Sequence, residues 1–189
     1  MSDTGWVSPG TVAEANLSGA QVTWSDENNI KSSNNSYARA VEIAEYYWDD
    51  NVVKLVKGGT ISGNDKSTIV DLGTSEITQS YGGSDDLWGE TWSVSDINSS
   101  SFGVVLSYIA ESEYKTNYLK ATDFGFSIPT GSTIDGIELE VELKSTWVDD
   151  ASGTTYAVDV DHVQIKVYYT EGGTPTVGVK YPLPAFTNV

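Results

Sequence analysis

Carboxylates are the side chains of this 189-residue chain with the most obvious potential for chemistry. They recur as close pairs: Asp49-Asp50, Asp85-Asp86, Asp149-Asp150 and Asp159-x-Asp161. A glycosidase needs two carboxylates, but neighbours on a strand point to opposite faces, so its pair would have to come from separate segments. Calcium is the better functional interpretation, because its ligands are carboxylate and carbonyl oxygens. Asp149 and Asp150 are the candidate calcium ligands, and solvated turn carboxylates are the alternative.

Nucleophilic catalysis has few candidates in this sequence. Cysteine is absent and histidine occurs once, at His162. A functional His162 would be a general base oriented by Asp159 or Asp161, but no G-x-S-x-G elbow supplies a nucleophile. The sequence therefore predicts a hydrogen-bonded structural histidine and identifies no catalytic residue. Without cysteine there is also no disulfide and no sulfur-based zinc site.

Aromatic residues suggest a second kind of binding chemistry. The chain has six Trp and eleven Tyr, and sugars stack on exposed aromatic faces. Trp88 and Trp147 are the main candidates for glycan contact, together with Tyr81 and Trp92. The alternative is that these rings fill the space between two sheets, since each can bury a large area.

The charge balance excludes several partners. The chain has 27 acidic and 10 basic residues, a formal net charge of −17. Such a field repels nucleic acid and anionic membrane surfaces. No apolar run approaches the roughly 18 residues of a membrane helix, and the first ten residues lack the pattern of an ordinary secretory signal. We therefore expect no nucleic-acid partner, no membrane insertion and no cofactor, calcium excepted.

Short alternating segments indicate the elements that must position these groups. Residues Ile137 to Lys144 alternate apolar and charged side chains, the pattern of a strand with one wet face. Asn51 to Lys57 is predicted to turn at Gly58-Gly59 into a return strand, Thr60 to Ser62. Further predicted extended segments are Gln21 to Trp24, Phe102 to Tyr108, Leu119 to Ile128, Tyr156 to Val160 and His162 to Tyr169. Ser36 to Trp48 has some helical spacing, but a strand is favoured there.

These segments predict an all-β fold, a two-sheet antiparallel β-sandwich of jelly-roll type with extended terminal arms. Residues 1–20 form an N-terminal arm or first strand, and residues 21–171 form the sandwich. Residues 172–189 are a Gly- and Pro-rich C-terminal arm, because Gly-Gly followed by three prolines is typical of a linker and an extended segment. In that arm Tyr181, Leu183 and Phe186 are the predicted anchoring residues.

Several sequence blocks together resemble a known group of proteins. They are residues 48–59 (WDDNVVKLVKGG), 81–89 (YGGSDDLWG), 95–104 (SDINSSSFGV), 124–137 (FGFSIPTGSTIDGI) and 160–170 (VDHVQIKVYYT). Over roughly Trp6 to Thr170 the chain is similar to β-sandwich structural proteins of tailed bacteriophages and prophages. The resemblance implies a virion component, assembled in the host cytoplasm, without enzymatic activity.

We accordingly expect a capsid-decoration, head-fibre or tail-associated protein that attaches through its terminal arms. Its partners would be other virion proteins and further copies of itself, for example in a trimer. The alternative is a carbohydrate-binding or adhesion module that contacts host surface glycans.

Overall fold

The computed structural model describes residues 1–42, 48–68, 72–110, 114–150 and 153–172; for residues 42, 148–150 and 153 it describes the backbone. Within these ranges the strands are β1 (Ser2–Asp3), β2 (Thr11–Ala15), β3 (Trp24–Ser25), β4 (Ala38–Glu42), β5 (Trp48–Lys57), β6 (Thr60–Ser62), β7 (Ile77–Gly83), β8 (Gly103–Ala110), β9 (Tyr118–Thr122), β10 (Thr133–Asp150) and β11 (Gly153–Thr170). The helices are a 3-10 turn at Glu27–Ile30 and α1 at Val94–Ile97. None of the helices in these described ranges is long and apolar enough to cross a bilayer.

The strands form two antiparallel sheets that enclose one core. Sheet A has the order β3-β4-β11-β10-β7, and β1 also pairs with β11. Sheet B has the order β2-β9-β8-β5-β6. Their inner faces contribute to a single cluster of buried apolar side chains. The predicted all-β, two-sheet antiparallel sandwich is confirmed.

A long hairpin dominates sheet A. β10 and β11 have 18 residues each, so each strand is about 60 Å long at the usual rise per residue. The apolar side chains at alternate positions from Ile137 to Leu143 are fully buried, while Glu138 to Lys144 on the opposite face are only partly buried. The predicted alternation of this strand is confirmed.

A β-bulge at Asp161 explains why β11 looks like two strands in the sequence. Glu142 pairs with His162 but Leu143 pairs with Val160, which leaves Asp161 as an extra residue. The bulge shifts the side-chain alternation by one position. Even-numbered residues such as Val160 face the core before the bulge, and odd-numbered residues such as Val163 face it afterwards. The predicted segments Tyr156 to Val160 and His162 to Tyr169 are therefore one continuous strand.

The N-terminal residues are part of both sheets. β1 pairs with the end of β11, Val7 forms a bridge with Ile165, and β2 pairs with β9 at the edge of sheet B. Residues 1–20 thus supply edge strands, which corresponds to the first-strand alternative for this segment and not to a free arm.

Other local predictions have mixed outcomes. Gly58 and Gly59 have φ angles of 56° and 83° and connect β5 to β6 as expected. The segment Leu119 to Ile128 does not remain a strand: β9 ends at Thr122, because Asp123 has a φ of 59° and leaves the extended region.

The stretch from Ser36 to Trp48 contains strand residues of both sheets. Ala38–Glu42 is β4 in sheet A, and Trp48 begins β5 in sheet B. A strand was favoured there, and for these residues it is confirmed; residues 43–47 lie outside the described ranges.

Candidate functional site

Polar side chains on the long hairpin form rows across the surface of sheet A that faces away from the core, here called the outer face. The outer face is defined by Glu138, Glu140, Glu142 and Lys144 of β10 and by His162, Gln164, Lys166 and Tyr168 of β11. Directly paired residues share a face, so each carboxylate of β10 meets a polar partner on β11. The outer face therefore brings carboxylates, a lysine and the histidine into direct cross-strand contact.

One row ends in an aromatic ring of the N-terminal segment. Lys166 Nζ lies 3.6 Å from Glu138 Oε2 and 4.0 Å from the ring centroid of Trp6. The Tyr168 hydroxyl donates to the same Glu138 oxygen at 2.6 Å, and this hydrogen bond raises the pKa of Tyr168. The cation–π contact holds Trp6 of the N-terminal segment on β11, and the ion pair links β11 to β10.

A second row, which contains the paired residues Glu142 and His162, brings together a serine, the histidine and a carboxylate. Ser8 Oγ lies 2.8 Å from His162 Nε2, and Glu142 Oε2 lies 3.9 Å from His162 Nδ1. The side chains of His162 and Glu142 are 12% and 27% exposed, and Ser8 is half-buried. Glu142 Oε2 is buried and has no hydrogen-bond partner. These three groups, here called the Ser8 row, come from three neighbouring segments and stand in the order hydroxyl, imidazole, carboxylate.

Sequence reasoning anticipated a hydrogen-bonded His162 but missed Ser8. Ser8 precedes His162 by 154 residues in the chain. Nothing in the sequence indicated their contact except that both side chains can form hydrogen bonds. The suggestion that His162 begins a strand is wrong, because it lies in the middle of β11.

The acidic residues suggested as orienting groups for His162 are engaged elsewhere. Asp159 is fully buried and receives two hydrogen bonds from Arg39, at 2.6 and 2.8 Å. This bidentate contact raises the pKa of Arg39. Asp161 accepts the backbone N–H groups of Asn34 and Asn35, each at 3.2 Å. Both carboxylates hold loops and strands together, and Glu142 is the carboxylate nearest the imidazole.

A separate polar group lies in the core. Asp50 of β5 accepts a hydrogen bond from the hydroxyl of Tyr81 of β7, at 2.5 Å, and so links sheet B to sheet A. Burial raises the pKa of Asp50 to about 6, although the Tyr81 bond favours the charged form. Burial also raises the pKa of Tyr81. Asp50 Oδ1 and the Tyr108 hydroxyl have no hydrogen-bond partner, so this part of the core is polar and incompletely paired.

Trp88 cannot serve as a sugar platform in this structure. Its side chain is fully buried, and its indole N–H donates to the Ile137 carbonyl at 2.9 Å. Asp86 accepts the Trp88 backbone N–H and pairs with Lys66 at 2.6 Å, which holds the loop against the sandwich. The glycan-contact prediction for Trp88 is therefore wrong, and Tyr81 and Trp92 are also buried.

Trp147 differs, because it lies near the tip of the long hairpin and is 55% exposed. It pairs directly with Tyr156, so the two rings share one face of the hairpin. Along β10 this face points into the core; Tyr156 is half-buried and packs against the core, whereas Trp147 is largely exposed. The exposure is compatible with glycan contact, which stays a prediction.

The remaining predicted sites fall largely outside the described side chains. The backbones of Asp149 and Asp150 belong to the hairpin tip, where Asp150 pairs with Gly153, but their side chains are not described. Within the described ranges no cluster of three or more His, Cys, Asp or Glu side chains could hold a metal ion. Tyr181, Leu183 and Phe186 also lie outside those ranges.

Comparison with known proteins gives no relative. No family model matches the chain, and no curated protein and no solved structure is significantly similar to it.

Proposed function

We propose that this chain is a structural protein of a tailed-bacteriophage virion, which decorates the capsid or belongs to the tail. It attaches at one end of the sandwich and projects the other. Its role in the particle rests on assembly and does not require catalysis. The sequence blocks that resemble phage β-sandwich proteins motivate the proposal.

The observation that carries the proposal is that the N-terminal strand and the end of β11 lie opposite the hairpin tip. Ser2 pairs with Tyr169, so the N-terminal strand lies at the end of β11 where the C-terminal segment departs. The tip carrying Trp147 lies at the other end of the same hairpin. Ser2 and Tyr169 at one end of the hairpin and an exposed aromatic residue at the other suit a protein that is anchored at its base and presents its tip.

The C-terminal segment has the composition of an anchor. Residues 173–189 contain no acidic side chain and one lysine, whereas all 27 carboxylates lie in residues 1–171. A nearly neutral segment with Tyr181, Leu183 and Phe186 can approach another protein without the repulsion that the acidic sandwich would meet.

A truncation tests this anchor. Removal of residues 173–189 should leave the melting temperature unchanged and abolish incorporation into particles purified by density gradient from the producing host. Mass spectrometry of the particles measures incorporation of both forms, and light scattering of the purified proteins shows whether the segment also holds copies together. Absence of the full-length chain from the particles would refute the virion role, and normal incorporation of the truncated chain would refute the anchor.

Carbohydrate binding is the second candidate function, and the exposed Trp147 beside Tyr156 favours it. Stacking on aromatic side chains gives sugar-binding sites much of their affinity, so Trp147→Ala should remove binding on a glycan array. Val41→Ala is a matched control, because Val41 is also exposed, at 46%, but lies on the outer face of sheet A. Equal binding by both variants, or no binding by the wild type, would exclude a role for Trp147.

A further inference from the structure

We propose that His162, positioned by Glu142, takes the proton of Ser8 and so makes Ser8 a nucleophile toward carboxylic esters. This activity would be additional to the structural role. A serine hydroxyl is a weak nucleophile unless a neighbouring base removes its proton, and the pairing of nucleophile, base and orienting carboxylate is recognised by geometry rather than by chain order. The Ser8 row has this order on three adjacent segments.

The short contact in the row joins the nucleophile to the base. A separation of 2.8 Å between Ser8 Oγ and His162 Nε2 is a full hydrogen bond. With the imidazole proton on Nδ1, Nε2 accepts the Ser8 proton. Glu142 Oε2 lies 3.9 Å from Nδ1, and a carboxylate beside Nδ1 favours the tautomer with its proton on that nitrogen. Catalytic hydrogen bonds are often long in the absence of substrate.

Backbone pairing holds the row in place. Val7 N–H donates to the Ile165 carbonyl at 3.0 Å, and Ile165 N–H donates back to Val7 at 2.9 Å, which fixes Ser8 beside β11. Gly10 N–H donates to Asp123 at 2.8 Å on the other side of Ser8. His162 and Glu142 are direct partners in the β10–β11 ladder. Ser8 Oγ is therefore positioned by secondary structure, and the residue is partly exposed.

The reaction balances with an ester and water alone. Ser8 Oγ attacks the carbonyl carbon while its proton passes to His162 Nε2. The carbon–oxygen bond to the alcohol then breaks, and the alcohol oxygen takes the proton from Nε2. Water attacks the acyl-Ser8 carbonyl by the same proton route, which releases the carboxylic acid and restores Ser8. Glu142 is a positioning residue, because it acts through His162.

Covalent labelling of the full chain with a fluorophosphonate probe tests the proposal. The probe should form an adduct on Ser8, located by peptide mass mapping, and p-nitrophenyl acetate should be hydrolysed through the same residue. Ser8→Ala should abolish both reactions. His162→Gln should slow labelling about 10²-fold, the usual contribution of a general base. Ser80→Ala is the matched control and should change nothing, because Ser80 is an exposed serine on the same sheet face, opposite Glu140.

Glu142→Gln separates positioning from folding. It should lower the maximal labelling rate without changing the probe concentration that gives half of that rate, and its melting temperature should match the wild type. Absence of a Ser8 adduct on the folded full chain would overturn the proposal. Equal labelling rates at Ser8 in the wild type and in a folded His162→Gln variant would overturn it as well. The labelling result is independent of incorporation into particles.

Discussion

At the scale of single residues, Asp50 shows how burial couples this fold to pH. Its carboxyl lies between the sheets, where the charged form is poorly solvated, and its pKa is raised from 3.8 to about 6. The folded state therefore binds the Asp50 proton more tightly than the unfolded state does. The stabilisation of the folded state by this bound proton is fully present below pH 3.8 and is lost as the pH rises through about 6.

Asp50→Asn should remove this pH dependence. The amide oxygen still accepts the Tyr81 hydroxyl, and no buried charge forms at neutral pH. Relative to the wild type, the variant should gain up to about 3 kcal/mol in free energy of unfolding between pH 4 and pH 8, which is two pKa units of linkage. Denaturant unfolding at both pH values measures the gain. Asp85→Asn, at an exposed position, is the control, and a constant difference between Asp50→Asn and wild type would contradict the assignment.

At the scale of elements, glycines show where backbone packing leaves no room. Gly82 in β7 has a φ of 76°, and a Cβ there would lie 2.3 Å from the Ile137 carbonyl and 2.6 Å from Trp88 Nε1. Gly59 in the β5–β6 turn has a similar φ of 83° but nothing within 4 Å of its Cβ position. Both glycines therefore have a left-handed backbone conformation. Only at Gly82 would an added side chain also collide with neighbouring atoms.

Substitution by alanine should separate these two effects. Gly59→Ala should cost about 1 kcal/mol, the penalty of a left-handed conformation for a residue with a side chain. Gly82→Ala should cost at least about 2 kcal/mol more, because β7, β10 or Trp88 must move. Thermal and denaturant unfolding of the two variants measure the difference. Similar losses for both would mean that the Trp88 indole is not seated against Gly82.

At the scale of the whole molecule, the net charge of −17 sets the electrostatics. Many carboxylates repel one another in the compact state, and the repulsion is screened by salt. The described ion pairs are few and include Arg39–Asp159 and Lys66–Asp86, so repulsion should dominate among the remaining surface charges.

Added salt should therefore stabilise the protein. Raising NaCl from 0.01 to 0.1 M shortens the Debye length from about 30 to about 10 Å, and the melting temperature should rise. KCl should give the same increase, as a control for specific ion effects. A larger increase with CaCl₂ at equal ionic strength, lost in Asp149→Asn or Asp150→Asn, would establish the calcium site, whereas a fall in melting temperature with NaCl would contradict the repulsion argument.

Local pattern was enough to predict much of the fold. The alternation from Ile137 to Lys144 and the Gly58-Gly59 turn depend on neighbouring residues, and both are confirmed. The bulge at Asp161 was not predicted, because the alternation of buried and outer side chains continues on both sides of it and is only displaced by one residue. The burial of Trp88 was not decided either, since a tryptophan fits both an exposed platform and the space between sheets.

The candidate site depended on contacts that no local pattern records. The sequence determined the composition, the acidity, several of the strands and the residue types available for chemistry, because these follow from each residue and its close neighbours. Only the tertiary structure decided that Ser8 meets His162, that Glu142 rather than Asp159 or Asp161 faces the imidazole, and that Asp50 is buried. The pairing of β11 with β10 and with the N-terminal segment sets these contacts, and strand pairing joins residues without regard to their separation along the chain.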